Sequence, residues 1–165
     1  MIEVWTDGAT RPTNPGPGGA AWLIKRSGKV EVGSCGYAWT TNNRMELKAV
    51  VEVLCLLRRG SRVRLYSDSA YVVNAFNKGW LRKWMHSRFQ RPDGTKIKNS
   101  DLWRDVSLAA EGLTIEWVHI RGHMGLPENE RVDEMAGEAA QHATLPDVFY
   151  LREHDELWRV GKEGE

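Results

Sequence analysis

An α/β chain of the mixed α+β kind, with a five-stranded mixed sheet flanked by helices, is what this sequence predicts. Three observations carry that expectation. Three strand-like segments follow one another near the start, joined by turns. Farther on, strands alternate with helical segments. The chain has 165 residues, 41% of them hydrophobic and 27% charged, enough for one packed core and too few for two comfortable ones. Strands joined by short turns pair antiparallel, whereas strands joined through helices pair parallel, so a mixed sheet follows.

The elements justify themselves in order. Ile2 to Asp7 is short and β-branched at Ile2, Val4 and Thr6, and Asp7-Gly8 ends it as a strand. After a loop rich in Pro and Gly come two more strands, Ala21–Ile24 and Val30–Trp39, with a hairpin turn at Ser27-Gly28. Asn43 to Arg59 carries Leu47, Val50, Val51, Leu54 and Leu57 at helical spacing, and Gly60 is the expected stop. Arg62 to Ser67 alternates Val63 and Leu65 with arginines, which predicts a fourth strand. Helices are expected over Ser69–Phe76, Trp80–Arg88 and Asp101–Glu111, then a fifth strand over Thr114–Ile120. A last helix over Glu128–His142 has Val132, Met135, Ala136 and Ala139 on one stripe, with Pro146 beyond it.

One domain over residues 1–143 and a C-terminal extension over 144–165 are expected. The extension holds Val148, Phe149, Tyr150, Leu151, Leu157 and Trp158, too apolar for a plain disordered end. It is expected to dock on the domain or on a second chain, and to be unnecessary to the active site. The start lacks a basic region leading into an apolar run, and no stretch nears membrane-spanning length. Cys35 and Cys55 lack any metal-ligand spacing, which fits reduced thiols and a cytoplasmic protein, expected to be a monomer with no membrane partner.

Four carboxylates sit where elements end or begin: Asp7, Glu46, Asp68 and Asp133. If the first and fourth strands are neighbours, Asp7 and Asp68 emerge side by side at their carboxyl ends, where open α/β sheets place ligands. Clustered carboxylates repel unless a cation neutralises them, and hard oxygen ligands without clustered His or Cys suit Mg²⁺ or Mn²⁺ rather than zinc. Each residue also has a purely structural reading. Asp7-Gly8 can be a turn, Asp68 a helix cap, Asn43 to Glu46 a capping box, and Asp133 a solvated helix charge.

The strings Thr6-Asp7-Gly8, Asn14-Pro-Gly-Pro-Gly-Gly19, Thr41-Asn-Asn-Arg-Met-Glu-Leu47, Tyr66-Ser-Asp-Ser69, Gly122-His123 and Pro127-Glu-Asn-Glu-Arg-Val-Asp133 resemble the type 1 ribonuclease H family, in the family's order. The resemblance implies a ribonuclease H-like fold and hydrolysis of the RNA strand of RNA/DNA hybrids. It implies a two-metal-ion mechanism, 5′-phosphate and 3′-hydroxyl products, and Asp7, Glu46, Asp68 and Asp133 as ligands of Mg²⁺, with Mn²⁺ an alternative. It assigns His123, in a glycine-flanked loop, to proton transfer or product departure. The chain departs from the common pattern in a longer loop from Gly8 to Asn14, in Ala70, where relatives often carry Gln, and in Leu126, where some carry His. A transposase, integrase or junction resolvase, or a non-catalytic hybrid-binding module, is the competing reading. The intact acidic set and the specific strings disfavour them.

Charge is distributed unevenly. Lys78, Arg82, Lys83, Arg88, Arg91, Lys96 and Lys98 face one acid, Asp93, so the rest of the chain is net acidic although the total is +1. Such a patch is the electrostatic footprint of a nucleic-acid binder, and the segment matches the family's basic protrusion. Trp80 and Trp84 share one helix face there, to meet substrate or to pack inward. Asn14, Thr41, Asn42, Asn43 and Asn99 are uncharged hydrogen-bonding groups suited to sugar and phosphate, or to local turns and caps. With Lys83 and Arg88 they complete the expected substrate-binding set.

Overall fold

The computed structural model describes residues 1–121 and 125–154. The described strands are β1 (Ile2–Thr10), β2 (Gly16–Arg26), β3 (Lys29–Thr40), β4 (Arg62–Ser67) and β5 (Thr114–His119). The helices are α1 (Asn42–Cys55), α2 (Ala70–Asn77), α3 (Trp80–His86), α4 (Ser100–Ala109), α5 (Pro127–Gln141) and α6 (Val148–His154). One five-stranded sheet runs in the order β3-β2-β1-β4-β5. β1, β2 and β3 pair antiparallel, and β1, β4 and β5 pair parallel, so the mixed sheet expected from the connections is the one observed. Ser27 and Gly28 both take positive φ, 49° and 74°, which matches the turn to the strand twist and closes the β2–β3 hairpin at Arg26 and Lys29.

Alternation divides the sheet's side chains between two main cores, beside a small third cluster of Ala20, Met45 and Ala49. Val4, Ile24, Val63 and Leu65 join Leu47, Val50 and Leu54 of α1 and Trp103 of α4 in the larger one. Trp5, Ala21 and Leu23 point the other way, against Val132 and Ala136 of α5. Burying each such aliphatic side chain contributes about 1.5–3 kcal/mol, so α1 and α5 are held chiefly by these faces.

Several boundaries differ from those the sequence predicts. β1 continues to Thr10, paired with Gly18, so Asp7 lies inside the strand instead of closing it. α1 ends at Cys55, well before Gly60, because Leu56 and Leu57 donate to Val53 and Leu54, three residues back, and tighten the last turn. α5 stops at Gln141, five residues short of Pro146.

The chain after α5 returns to the domain. Leu145 pairs with the β3 edge, donating to the Gly36 carbonyl and accepting from the Ala38 N–H at 2.8 Å. Asp147 is buried and accepts hydrogen bonds from Thr40 Oγ1 and Arg44 Nε, both at 2.7 Å. Arg44 itself is 3% exposed, and its guanidinium also reaches Asp101 through two hydrogen bonds of 2.8 and 2.7 Å. α6 follows directly. Leu157 and Trp158 lie outside the described residues.

Candidate active site

Adjacent parallel strands bring the first two carboxylates together. Thr6 of β1 is level with Ser67 of β4, so Asp7 and Asp68 occupy the next position on each chain. Asp68 is not a helix cap here: Ser69 caps α2, accepting from the Val72 N–H at 3.3 Å. Glu46 arrives from α1, which approaches β1 at Gly8. A Cβ on Gly8 would lie 2.3 Å from the Glu46 backbone nitrogen, so only a residue without a side chain permits this contact. The alternative reading of Asn43 to Glu46 as a capping box is not the cap that α1 takes. Thr41 is the N-cap, accepting from Arg44, which leaves the Glu46 side chain turned toward Asp7.

Ligand-type oxygens of Asp7, Glu46 and Asp68 all lie within 4.8 Å of one another. Asp7 is 4% and Glu46 8% exposed, whereas Asp68 is half-buried. Burial, with Asp68 next and Asp133 behind it, pushes the Asp7 carboxyl from 3.8 up to about 7. Burial followed by the charges of Asp7 and Asp68 raises Glu46 well above the ordinary carboxylate range. Glu46 Oε2 is buried with no hydrogen-bond partner among the described residues. An unsatisfied buried oxygen within a cluster of like charges is what a cation would satisfy, and the all-oxygen donor set fits a hard divalent ion.

Asp133 stands apart from these three. It lies in α5, 41% exposed, near enough to Asp7 to raise its carboxyl. α5 is seated by a second close approach, for a Cβ on Gly19 would lie 2.0 Å from the Ala136 carbonyl oxygen. Arg11 Nη2 lies 3.6 Å from Asp133 Oδ1. His123 lies outside the described residues. Two contacts that sequence reasoning missed frame the cluster: this Arg11 contact, whose only signal was the longer loop, and a bond from His119 Nε2 to the Asp68 carbonyl oxygen at 3.2 Å, which no local pattern announces.

Known proteins match this chain over most of its length. The model of the family described as RNase H matches residues 1–141. A protein named Ribonuclease H from Thermoanaerobacter sp. (strain X514) is 42% identical over 145 residues, covering 87% of this chain and 92% of that protein. The chain belongs to the RNase H family. Among solved structures, LC9-RNase H1, described as a type 1 RNase H with the type 2 active-site motif, superposes with a TM-score of 0.76 at 30% identity, covering 87% of this chain and 73% of that one. LC11-RNase H1 in complex with RNA/DNA hybrid superposes with a TM-score of 0.62 at 22% identity, covering 86% and 98%, which shows a shared fold.

In this chain the remaining expected residues fall into two groups. Asn14, Thr41, Asn42 and Asn43 gather where β1, its loop and α1 meet. Asn14 Oδ1 accepts from the Asn42 N–H at 3.1 Å, and Asn42 Oδ1 accepts from Thr10 N and Oγ1 at 2.7 and 2.8 Å. Asn99 is 9% exposed and built into the core: Oδ1 takes a 3.4 Å bond from Arg44 and Nδ2 donates to the Tyr71 hydroxyl at 3.1 Å. The second group lies on and beyond α3. Lys83 and Arg88 are exposed, as are the other five basic residues from Lys78 to Lys98. Trp80 and Trp84 are half-buried against the larger core, with Trp84 packed 5.2 Å from Trp103 between ring centres, so the inward-packing reading describes most of their surface.

Proposed function

We propose that this chain is an endonuclease that hydrolyses the RNA strand of RNA/DNA hybrids by a two-metal-ion mechanism, leaving 5′-phosphate and 3′-hydroxyl ends. The observation that carries the reading is the packing of Asp7, Glu46 and Asp68 within 4.8 Å of one another, two of them buried, at the sheet edge of an RNase H family chain. Mg²⁺ is the proposed ion, with Mn²⁺ an alternative, and Asp7, Glu46, Asp68 and Asp133 are the residues that would hold it. Two such ions supply, when bound, the charge that acidifies a water and stabilises the departing oxygen of a phosphodiester.

The protein's own groups do the rest. Asp7 and Glu46 fix the buried side of the site through β1 and α1, while Asp133 borders it from the more exposed side. His123 is proposed to assist proton transfer or product departure, and His123→Ala to slow turnover by about 10²-fold or less, the range of a single acid–base group. Asn14, Thr41, Asn42 and Asn43 are proposed to hydrogen-bond sugar and phosphate, and Asn99 to support them. Trp80, Lys83, Trp84 and Arg88 are proposed to grip the hybrid through the basic segment. No helix among the described residues is long and apolar enough to cross a membrane. A cytoplasmic monomer with free Cys35 and Cys55 is the proposed working form.

The test is a magnesium-dependent cleavage assay on labelled hybrid, duplex DNA and duplex RNA. Cleavage confined to the RNA of the hybrid, lost in Asp68→Asn, is the expected result. Near-wild-type cleavage by Asp68→Asn in Mg²⁺ would sink the assignment.

A further inference from the structure

The family match ends at residue 141, yet the segment beyond it reaches the proposed substrate surface. A cavity of about 250 Å³ is lined by Asn14, Thr41, Asn43 and Lys98 on one side and by Tyr150 and His154 of α6 on the other. A second cavity, of about 170 Å³, adjoins it and shares Thr41, Lys98, Tyr150 and His154. α6 is held against this surface by its own N-terminal residues. Asp147 is tied to Arg44 and Thr40 and accepts from the Tyr150 N–H at 3.3 Å. The Phe149 ring lies 5.3 Å from the Arg44 guanidinium and 6.0 Å from Lys96 Nζ. Tyr150 and His154, one helical turn apart, meet edge to face with ring centres 4.4 Å apart.

We infer that α6 is a wall of the substrate groove, and that Tyr150 and His154 contact the sugar-phosphate backbone of the strand that Asn14, Asn43 and Lys98 hold. The inference rests on the proposed hybrid-cleaving reading and adds residues to it. The lining chemistry selects the ligand. The larger cavity presents amides, hydroxyls, an imidazole and an ammonium and no carboxylate, which suits a phosphodiester. Glu153 lines only the smaller cavity, so the phosphate belongs in the larger one. On this inference the extension would take part in substrate binding, and the variants below decide between it and the expectation that the active site does without the extension.

The experiment uses the full chain with the Tyr150→Ala/His154→Ala double variant, His154→Ala alone, and Lys98→Ala, singly and combined. Binding of a fluorescent hybrid is read by anisotropy in an Asp68→Asn background, and KM and kcat are read with Asp68 intact. Loss of one or two backbone contacts should weaken binding and raise KM by roughly 3–10-fold, with a smaller effect on kcat. The Lys98→Ala and His154→Ala effects should be non-additive, because both residues would hold one phosphate. His154 is exposed, so its single substitution leaves packing intact if the double variant folds poorly. Unchanged or tighter binding in His154→Ala, or strict additivity with Lys98→Ala, overturns the inference. A wild-type chain that binds hybrid without cleaving it overturns the proposed activity alone, since anisotropy reads the wall independently.

Discussion

Burial of Asp7 beside other carboxylates fixes how the metal-free protein responds to pH. Its carboxyl is raised from 3.8 to about 7, so between those values the folded chain holds a proton that the unfolded chain has released. Stability from this group is therefore highest below about pH 4, falls as pH rises toward 7, and is flat above that. Glu46 is shifted in the same direction. Urea melts of metal-stripped protein should show greater stability at pH 5 than at pH 7.5 for this reason, and Mg²⁺ or Mn²⁺ should recover part of the loss at the higher pH. A metal-free profile that is flat from pH 5 to 7.5 in wild type and Asp7→Asn alike would refute the account. By the same repulsion, Asp68→Asn should lose most activity while the metal-free fold holds or gains stability.

At the scale of elements, α1 and α5 are placed by two glycines on the sheet. Gly8→Ala puts a methyl group 2.3 Å from the Glu46 nitrogen, and Gly19→Ala puts one 2.0 Å from the Ala136 oxygen. Each helix must then lift from the sheet, at about 1–3 kcal/mol or more of overpacking strain. Activity per folded molecule should fall further than stability in Gly8→Ala, because Glu46 moves with α1. Thermal melts beside cleavage rates check this, and equal loss of both would show that Gly8 serves packing alone. The elements also show what the sequence made legible. β4 was read to the residue, because alternation between Gly60 and Asp68 is a local signal. The Thr41–Leu47 string placed Glu46 in its helix, but not the cap, since a capping box and the Thr41 cap share the same residue types. α6 was invisible as a helix. Its seven residues carry little period, and what fixes it is Asp147 bonded to Arg44, a partner 103 residues away. Asn99, expected at the substrate surface, is occupied by Arg44 and Tyr71, contacts that only the folded chain brings together.

For the molecule as a whole, charge is segregated. Seven exposed basic residues from Lys78 to Lys98 sit on an otherwise net acidic body. Lys78 precedes α3, Arg82 and Lys83 lie on it, and the rest follow it around Phe89, which stays buried as an anchor. Replacing Lys83, Arg88 and Arg91 with Ala should raise KM and flatten the salt dependence of hybrid binding. The expected change in slope is roughly 0.9 per lost phosphate contact on B-DNA, and somewhat less on a hybrid. An unaltered slope in a titration from 50 to 200 mM salt, a range over which phosphate contacts ordinarily tell, would place the patch away from substrate.

The link between Arg44 and Asp147 also bears on the order in which the chain is made. Arg44 is enclosed by α1, α4 and the segment before α6, and one of its two carboxylate partners is synthesised 103 residues after it. At about 5–20 residues per second, ribosomes leave that arginine without Asp147 for roughly 5–20 s. By the end of that interval all five strands and α1 to α5 have been synthesised, and the counter-charge that closes this corner is the part still to come. Removing the sole partner of a buried ion pair costs about 3–5 kcal/mol, and because Arg44 keeps Asp101 the cost here should be smaller. A chain ending at residue 143 should still be less stable than one that includes Asp147, and Asp147→Ala should reproduce most of the loss. Nascent chains stalled with Asp147 still inside the exit tunnel should be cut readily by protease and become resistant once it emerges. The segment around Asp147 would then act as the latch of the domain, and equal protease resistance before and after its emergence would show that the domain closes without it.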